Sequence, residues 1–444
     1  MIAVEKRETE GKGSLYRMLW RWHFYAGLIC IPFVIWLAVT GSVYLFRPQI
    51  DAWIDRDIVA LERAGQPATQ EAIVAAATKA VPGSTFAGIM LAEESDQAAR
   101  VLVSDHGART RVYVHPDTLA ILKTVDEGGT WDRWVFKLHG ELMMGNAGSI
   151  IVELAASWAI VMVVTGLYLW WPRNAKGLGG VLYPRLGQGP KRFWRDLHAV
   201  VGVWVSAFAL FLLVSGMPWS LVWGNGFKMV RDVTGTAPIS QDWTTSSADE
   251  HAEHAGHDMA AMDHSAHGGA SIDAIVAKAR ALDLAPPVIL TPPTKTSPLW
   301  WAKSNAQNRP QREDVALSAM TGEVARRDTF GGKHIIDQIV GVAIAAHEGQ
   351  LFAPLNQVLG VLTALGLITL CVSAFVMWRR RAPEGVLGAP PPIPDARIGA
   401  GLAVIIAIAA VLLPVLGASL VVLAVLERLI LRRWPPARRW LGLA

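Results

Sequence analysis

The sequence predicts a mainly α-helical integral membrane protein: two parallel repeats of span, outer α+β domain and span, with a helical hairpin added at the end. Three observations predict it. Apolar residues gather into blocks of span length, basic residues keep to alternate flanks of those blocks, and four histidines recur at matched offsets. Of 444 residues, 52% are hydrophobic and only 18% charged, too apolar a balance for a soluble chain of this length. A hydrocarbon core of ~30 Å needs roughly 20 apolar residues in a helix. The blocks 23–46, 147–171, 198–223 and 355–378 meet that length. The block 398–431 is longer and is broken by Pro414 and Gly417, so a tight hairpin of two short helices is expected there, about six transmembrane helices in all.

The first block is not a cleavable signal sequence. Its apolar run is too long, and GSVYLFRP offers no small-residue cleavage site. Lys and Arg near the span ends set the orientation. They cluster in 1–22 (Lys6, Arg7, Lys12, Arg17, Arg21), in 172–197 (Arg173, Lys176, Arg185, Lys191, Arg192, Arg195), after Trp378 as Arg379, Arg380 and Arg381, and in the tail RLILRRWPPARRW. Segments 1–22, 172–197, 379–397 and 432–444 are therefore expected on the cytoplasmic side, with 47–146 and 224–354 outside. The formal charge of +4 belongs to these flanks and implies no nucleic-acid partner. Cys30 and Cys371 both fall inside spans, so no disulfide staples the outer domains.

Each outer segment reads as a small α+β module. In 69–81, TQEAIVAAATKAV has helical periodicity, and FAGIML, ARVLVSD, TRVYVHP and LAILKTV alternate as strands do. The second module repeats this as SIDAIVAKARAL, then PPVILTPP, PLWWAKS and EDVALSAMTGEVARRD. Its prolines predict edge strands.

The histidines carry the repeat. His23 is followed by Gly27 at +4 and Thr40-Gly41 at +17 and +18; His198 is followed by Gly202 and Ser215-Gly216 at the same offsets. His139 is followed by Thr165-Gly166 at +26 and +27 and Trp170 at +31; His347 is followed likewise by Ser373-Ala374 and Trp378. Two halves entering from the same side are related by an axis along the membrane normal, which sets His23 against His198 on the inner side and His139 against His347 on the outer.

Two facing imidazoles at one level suit bis-histidine ligation of haem b, one haem near each membrane face, with both axial positions filled for electron transfer. Gly27 and Gly202 would let a flat macrocycle approach. Zinc prefers four ligands, so two imidazoles without cysteine make a poor zinc site. Helix-end anchoring is the plainer reading of any one histidine, and of four together the weaker one. Arg17, Arg21, Arg192 and Arg195 are candidate propionate contacts, with topology signals as their default role. Glu141 and Glu348 are candidate hydrogen-bond acceptors behind the outer ligands. Glu153, an ionisable group inside a span, is a functional candidate; His106, His115 and His334 read as ordinary polar contacts. The segment HAEHAGHDMAAMDHSAH at 251–267 adds His251, His254, His257, Met259, Met262, His264 and His267, a set that suits copper, with zinc or nickel as alternatives, in an exposed insertion.

With WRWHFYAGL…LAVTGSVYLF, KLHGEL…TGLYLWWPR, FWRDLHAVVG…LLVSGM and AAHEGQLF…VMWRRRAPEG, the chain resembles the PepSY-associated transmembrane family over roughly 14–385. Members of that family include inner-membrane reductases acting on iron-siderophores. The resemblance implies PepSY-like outer domains, His23, His139, His198 and His347 at the family's histidine positions, and periplasmic reduction of siderophore-bound Fe(III) for iron uptake. The chain departs from the family in lacking a glycine near Ala353 and in carrying the 251–267 insertion, which bears on the identity of the metal. Cupric reductase or copper handling, a siderophore or metal permease, and a non-enzymatic PepSY-type regulator are the alternative functions. No GxGxxG lies in a strand–turn–helix context, so quinol or a separate cytoplasmic flavin or NAD(P)H reductase is the expected electron donor.

Overall fold

A computed structural model of the chain describes residues 2–173, 176–237, 269–294, 297–391 and 398–443. In chain order its elements are α1 (Ile2–Leu45), α2 (Arg47–Ile54), α3 (Gln70–Ala80), β1 (Thr85–Met90), β2 (Ala99–Asp105), β3 (Ala108–Val114), β4 (Ile121–Asp126), α4 (Trp131–Glu141), α5 (Asn146–Trp170) and α6 (Pro190–Gly216). They continue as α7 (Leu221–Val233), α8 (Ile272–Arg280), β5 (Val288–Thr291), β6 (Leu299–Ser304), β7 (Glu313–Ser318) and β8 (Val324–Thr329). Helices α9 (Ile335–His347), α10 (Leu355–Arg381), α11 (Ala400–Leu412), α12 (Pro414–Leu426) and α13 (Pro435–Leu441) complete the chain. Among the described residues, five stretches are long and apolar enough to cross a membrane: Ser14–Leu45, Asn146–Trp170, Pro190–Trp219, Leu355–Arg381 and Pro414–Leu431. The chain is a multi-pass membrane protein. It divides into two compact units, one of Met1–Ser42, Leu138–Gly235 and Val358–Ala444, the other of Val43–Lys137 and Thr236–Gln357.

The first unit is helical, as lipid demands of a backbone that must satisfy its own polar groups. The block 398–431 breaks at Pro414, and the chain folds back so closely that a Cβ on Gly417 would lie 2.7 Å from the Ala410 carbonyl. Helix α11 has 13 residues, or ~20 Å of length, too short for a full crossing. The Trp223 indole donates to Leu412 O at 3.1 Å and the Trp158 indole to Ser419 Oγ at 3.1 Å, tying the hairpin to α7 and α5. At the basic end of the spans, the two tryptophans that share the +31 offset do one job. Trp170 donates to Val181 O (3.1 Å) and Trp378 to Leu387 O (2.8 Å), each closing the loop that follows its helix.

The second unit is built on one eight-stranded antiparallel sheet, ordered β4-β3-β2-β1-β5-β6-β7-β8. Two separate modules are expected from the sequence; the chain instead pairs Ile89 of β1 with Leu290 of β5 and fuses them. The pairing satisfies two strand edges that would otherwise stand open. The expectation that proline-flanked strands lie at edges fails for β5. Its prolines stand outside the four paired residues, so none is asked to donate to the ladder, and the edges are β4 and β8. The run EDVALSAMTGEVARRD is the hairpin β7–β8, turning through Gly322 at φ +68°.

One face of the sheet is covered by α3 and α8, whose Ile73, Val74, Ala77, Ile275, Val276 and Ala279 join the buried core. Each helix starts at a hydroxyl N-cap, Thr69 or Ser271. Each also caps the other: Glu71 Oε1 accepts from Ile272 N at 2.7 Å, and Asp273 Oδ1 accepts from Gln70 N at 2.9 Å. After β4 and β8 the chain passes a 3-10 turn and enters α4 and α9, the helices whose last turns carry His139 and His347.

Candidate functional site

Within the membrane unit, three of the four recurring histidines are held through Nδ1 by a hydroxyl on another helix. His23 on α1 meets Thr165 Oγ1 of α5 at 2.9 Å, and His139 at the end of α4 meets Thr40 Oγ1 of α1 at 2.9 Å. His198 on α6 meets Ser373 Oγ of α10 at 3.0 Å and Leu370 O at 3.1 Å. The direction of these bonds follows from the hydroxyls' other partners. Thr165 donates its proton to Val161 O (2.8 Å), Thr40 to Trp36 O (2.8 Å) and Ser373 to Leu370 O (3.0 Å). A hydroxyl has one proton, so each accepts from the imidazole, and Nδ1 carries the hydrogen. For His198 the carbonyl of Leu370 requires the same tautomer independently. With Nδ1 carrying the hydrogen, the neutral form of each ring leaves the lone pair on Nε2, the form in which histidine binds a metal. For His139, which lies outside the five spans, its desolvated surroundings hold the imidazole down to about 4.

The small residue after each threonine has a steric role. A Cβ on Gly41 would sit 3.1 Å from His139 Cε1, and one on Gly166 3.2 Å from His23 Cε1. Threonine supplies the acceptor and glycine the room for the ring, which accounts for the Thr-Gly pairs. His198 of α6 contributes to the electrostatic field at His23 of α1. Two imidazoles, each with its orientation set by a helix neighbour, make a donor set that fits a haem iron. Gly27 and Gly202, the positions expected to leave room for a macrocycle, face side chains of neighbouring helices. Added Cβ atoms there would meet Met162 Cε at 3.0 Å and Leu370 Cδ2 at 3.5 Å, so both pack against side chains.

His347 belongs to the sheet unit, where it ends α9. Its turn, HEGQ, is anchored by amides. Gln350 and Gln357 both donate to Leu45 O (3.0 and 2.8 Å), and Asn356 Nδ2 donates to Ala346 O (3.0 Å). Glu348 follows at the C-cap and contributes to the field at Arg47, which lies 2.9 Å from Asp132.

The remaining candidates have other attachments. Arg21 donates to Pro390 O and to Gly442 O (2.6 Å), Arg192 to Gln188 (2.7 Å) and Arg195 to Asp196 (2.8 Å), while Arg17 is exposed. Glu141 is buried. Glu153 is 2% exposed and spends both oxygens on the start of α7, accepting from Val222 N (2.8 Å) and Trp223 N (3.0 Å). The first N–H groups of a helix have no partner within it, and the carboxylate supplies one. His115 and His334 accept from backbone N–H groups of their own turns, and His106 is exposed beside Asp105. The histidines and methionines of 251–267 lie outside the described residues. Among the described residues no three His, Cys, Asp or Glu side chains gather as a metal cluster. Sequence reasoning missed Asp196, a buried carboxylate in α6 that grips Arg185 at 2.6 and 2.9 Å and folds the preceding loop. It also missed the hydroxyl partners, although the register that places them was visible.

A search of curated proteins finds no match to this chain. Compared with known families, the chain matches the PepSY-associated TM region over residues 20–381, a match that takes in all four recurring histidines. The protein is a membrane-spanning member of the PepSY-associated TM family.

Proposed function

We propose that the protein is a transmembrane haem-containing reductase that carries electrons outward and reduces ferric iron, bound in a siderophore, in the periplasm. The observation that carries this reading is that His23, His139 and His198 each have Nδ1 engaged by a hydroxyl or carbonyl of another helix, which supports the tautomer whose Nε2 can bind iron. Helix anchoring requires no particular tautomer, whereas axial ligation requires this one. His23 and His198 would hold one haem b; the sequence register alone assigns His139 and His347 to a second. Internal duplication of the chain accounts for the pairs.

Held by two imidazoles, haem b would supply reversible one-electron transfer. The chain's own residues would fix each ring plane through Thr165, Thr40 or Ser373, and the desolvated surroundings of His139 favour its unprotonated form. The basic flanks support a cytoplasmic N-terminus and 172–197 loop. Electrons would enter there from quinol or a flavin or NAD(P)H reductase, and each would convert one Fe(III) to Fe(II), which a siderophore holds far more weakly.

The test is a dithionite-reduced minus oxidised spectrum of detergent-purified protein with pyridine haemochrome quantification. Two b haems per chain are expected, falling to one in His23→Ala and to one in His139→Ala, together with oxidation of the pre-reduced protein by a ferric siderophore. A folded preparation that binds no haem overturns the reading.

A further inference from the structure

Arg173 and Arg381 are twins in register, 34 residues after His139 and His347, and three residues beyond the paired tryptophans Trp170 and Trp378. They are also twins in setting. The Arg173 guanidinium lies over Tyr16 (5.3 Å) and Tyr168 (4.6 Å), and that of Arg381 over Trp20 (5.3 Å) and Phe24 (5.2 Å). Tyr16, Trp20 and Phe24 stand at i, i+4 and i+8 on α1, so both arginines lean on one aromatic stripe. His23 borders that stripe, three residues after Trp20.

Neither arginine has a carboxylate partner among the described residues. Their polar contacts are single carbonyls, Tyr168 O for Arg173 (3.1 Å) and Gly388 O for Arg381 (3.4 Å). Arg185 and Arg195 are instead bound to Asp196 and Arg192 to Gln188, while Arg21, over the Tyr25 ring at 5.2 Å, spends two guanidinium nitrogens on the carbonyls of Pro390 and Gly442. A guanidinium stacked on rings keeps its N–H edge free and oriented, the arrangement that receives a carboxylate. A topology signal needs only positive charge; it does not need two matched aromatic seats beside a histidine.

We propose that Arg173 and Arg381 are the counter-charges for the two carboxylates of the group held by His23 and His198, in place of Arg17, Arg21, Arg192 and Arg195. This rests on the haem reading. It assigns the two propionates of the inner haem one arginine each.

The test uses full-length protein carrying Arg173→Gln, Arg381→Gln, both, or the corresponding Lys substitutions, and follows haem transfer to excess apomyoglobin. One of the two transfer phases should accelerate roughly tenfold per lost arginine, the loss of about one charge-assisted hydrogen bond, and Lys should restore part of it. The midpoint potential of one haem should fall as the positive charge is removed. Protein reconstituted with haem dimethyl ester, which has no free carboxylates, should release it equally fast in wild type and variants. Unchanged transfer of native haem overturns the assignment, and so does equal acceleration of haem and its ester, which would mark the arginines as structural. Loss of a co-purified anionic lipid in native mass spectra with haem release unchanged also overturns it, in favour of a lipid phosphate. Absence of haem from the wild type would instead remove the reading on which the proposal stands.

Discussion

In the sheet unit a helix followed by four strands occurs twice, in the membrane unit a few polar contacts recur, and the two units keep different things. In the membrane unit a few polar side chains recur while their apolar surroundings change: Thr40, Thr165 and Ser373 each bind an imidazole, and Trp170 and Trp378 each close a loop. In the sheet unit the backbone recurs and the side chains change. The ladder is irregular between Tyr113 and Val114 in one half and between Ala316 and Leu317 in the other, so a buried tyrosine stands where its counterpart has a buried alanine. Lipid explains the contrast. A polar group among spans must have a partner, so its identity is constrained residue by residue. A sheet over a shared core tolerates any side chains that fill the volume.

The largest way to break the comparison is at the glycines. Gly166→Leu should push the His23 ring off Thr165 and leave one haem per chain by pyridine haemochrome, with the sheet unit's amide exchange unchanged; two haems would refute the cradle. Next in size are Thr165→Val and Thr40→Val. Each removes the acceptor and should weaken one haem by roughly 10–100-fold, read as faster transfer to apomyoglobin with a shifted potential, and should leave protein yield unchanged. A smaller effect is expected at the reciprocal helix caps. Glu71→Ala and Asp273→Ala should each cost the sheet unit about 1 kcal/mol by denaturant titration, with faster exchange at the first turns of α8 and α3 respectively and no spectral change. A spectral change would mean that the units do not divide the labour this way.

The smallest effect concerns Asp51. Burial raises its carboxyl above the usual value, against the pull of the Trp131 indole at 2.8 Å and of Arg47. A raised carboxyl favours folding below its unfolded value and loses that contribution as pH rises through the folded one. Asp51→Asn should therefore stabilise the sheet unit modestly at pH 7, with the advantage vanishing as pH falls below 4. A loss of stability at pH 7 would show that the Arg47 pairing outweighs burial.

Much of this architecture is legible in the sequence because the membrane imposes periodicities of length. The block 147–171 corresponds to Asn146–Trp170, and the helix expected at 69–81 to Gln70–Ala80. Strand alternation finds β2 at Ala99–Asp105. It does not say that β1 pairs with β5, because alternation sets which face is buried and leaves the neighbour open. The offsets of Thr40, Thr165 and Ser373 are visible as a register, but which imidazole each receives depends on helix packing. Glu153 shows the limit most clearly. A carboxylate inside a span signals function by composition, and here it completes the hydrogen bonding of a helix start that the sequence does not mark as buried.

The junction of β1 with β5 also governs how the protein can be made. Ile89 must wait for Leu290, and between them the ribosome has to deliver two long apolar helices, α5 and α6. At 5–20 residues per second that is roughly 10–40 s during which β1 shows an unpaired edge to its surroundings. Membrane insertion of the middle of the chain thus becomes a timing element for a fold that lies outside those helices, and slow insertion would show first as aggregation through β1.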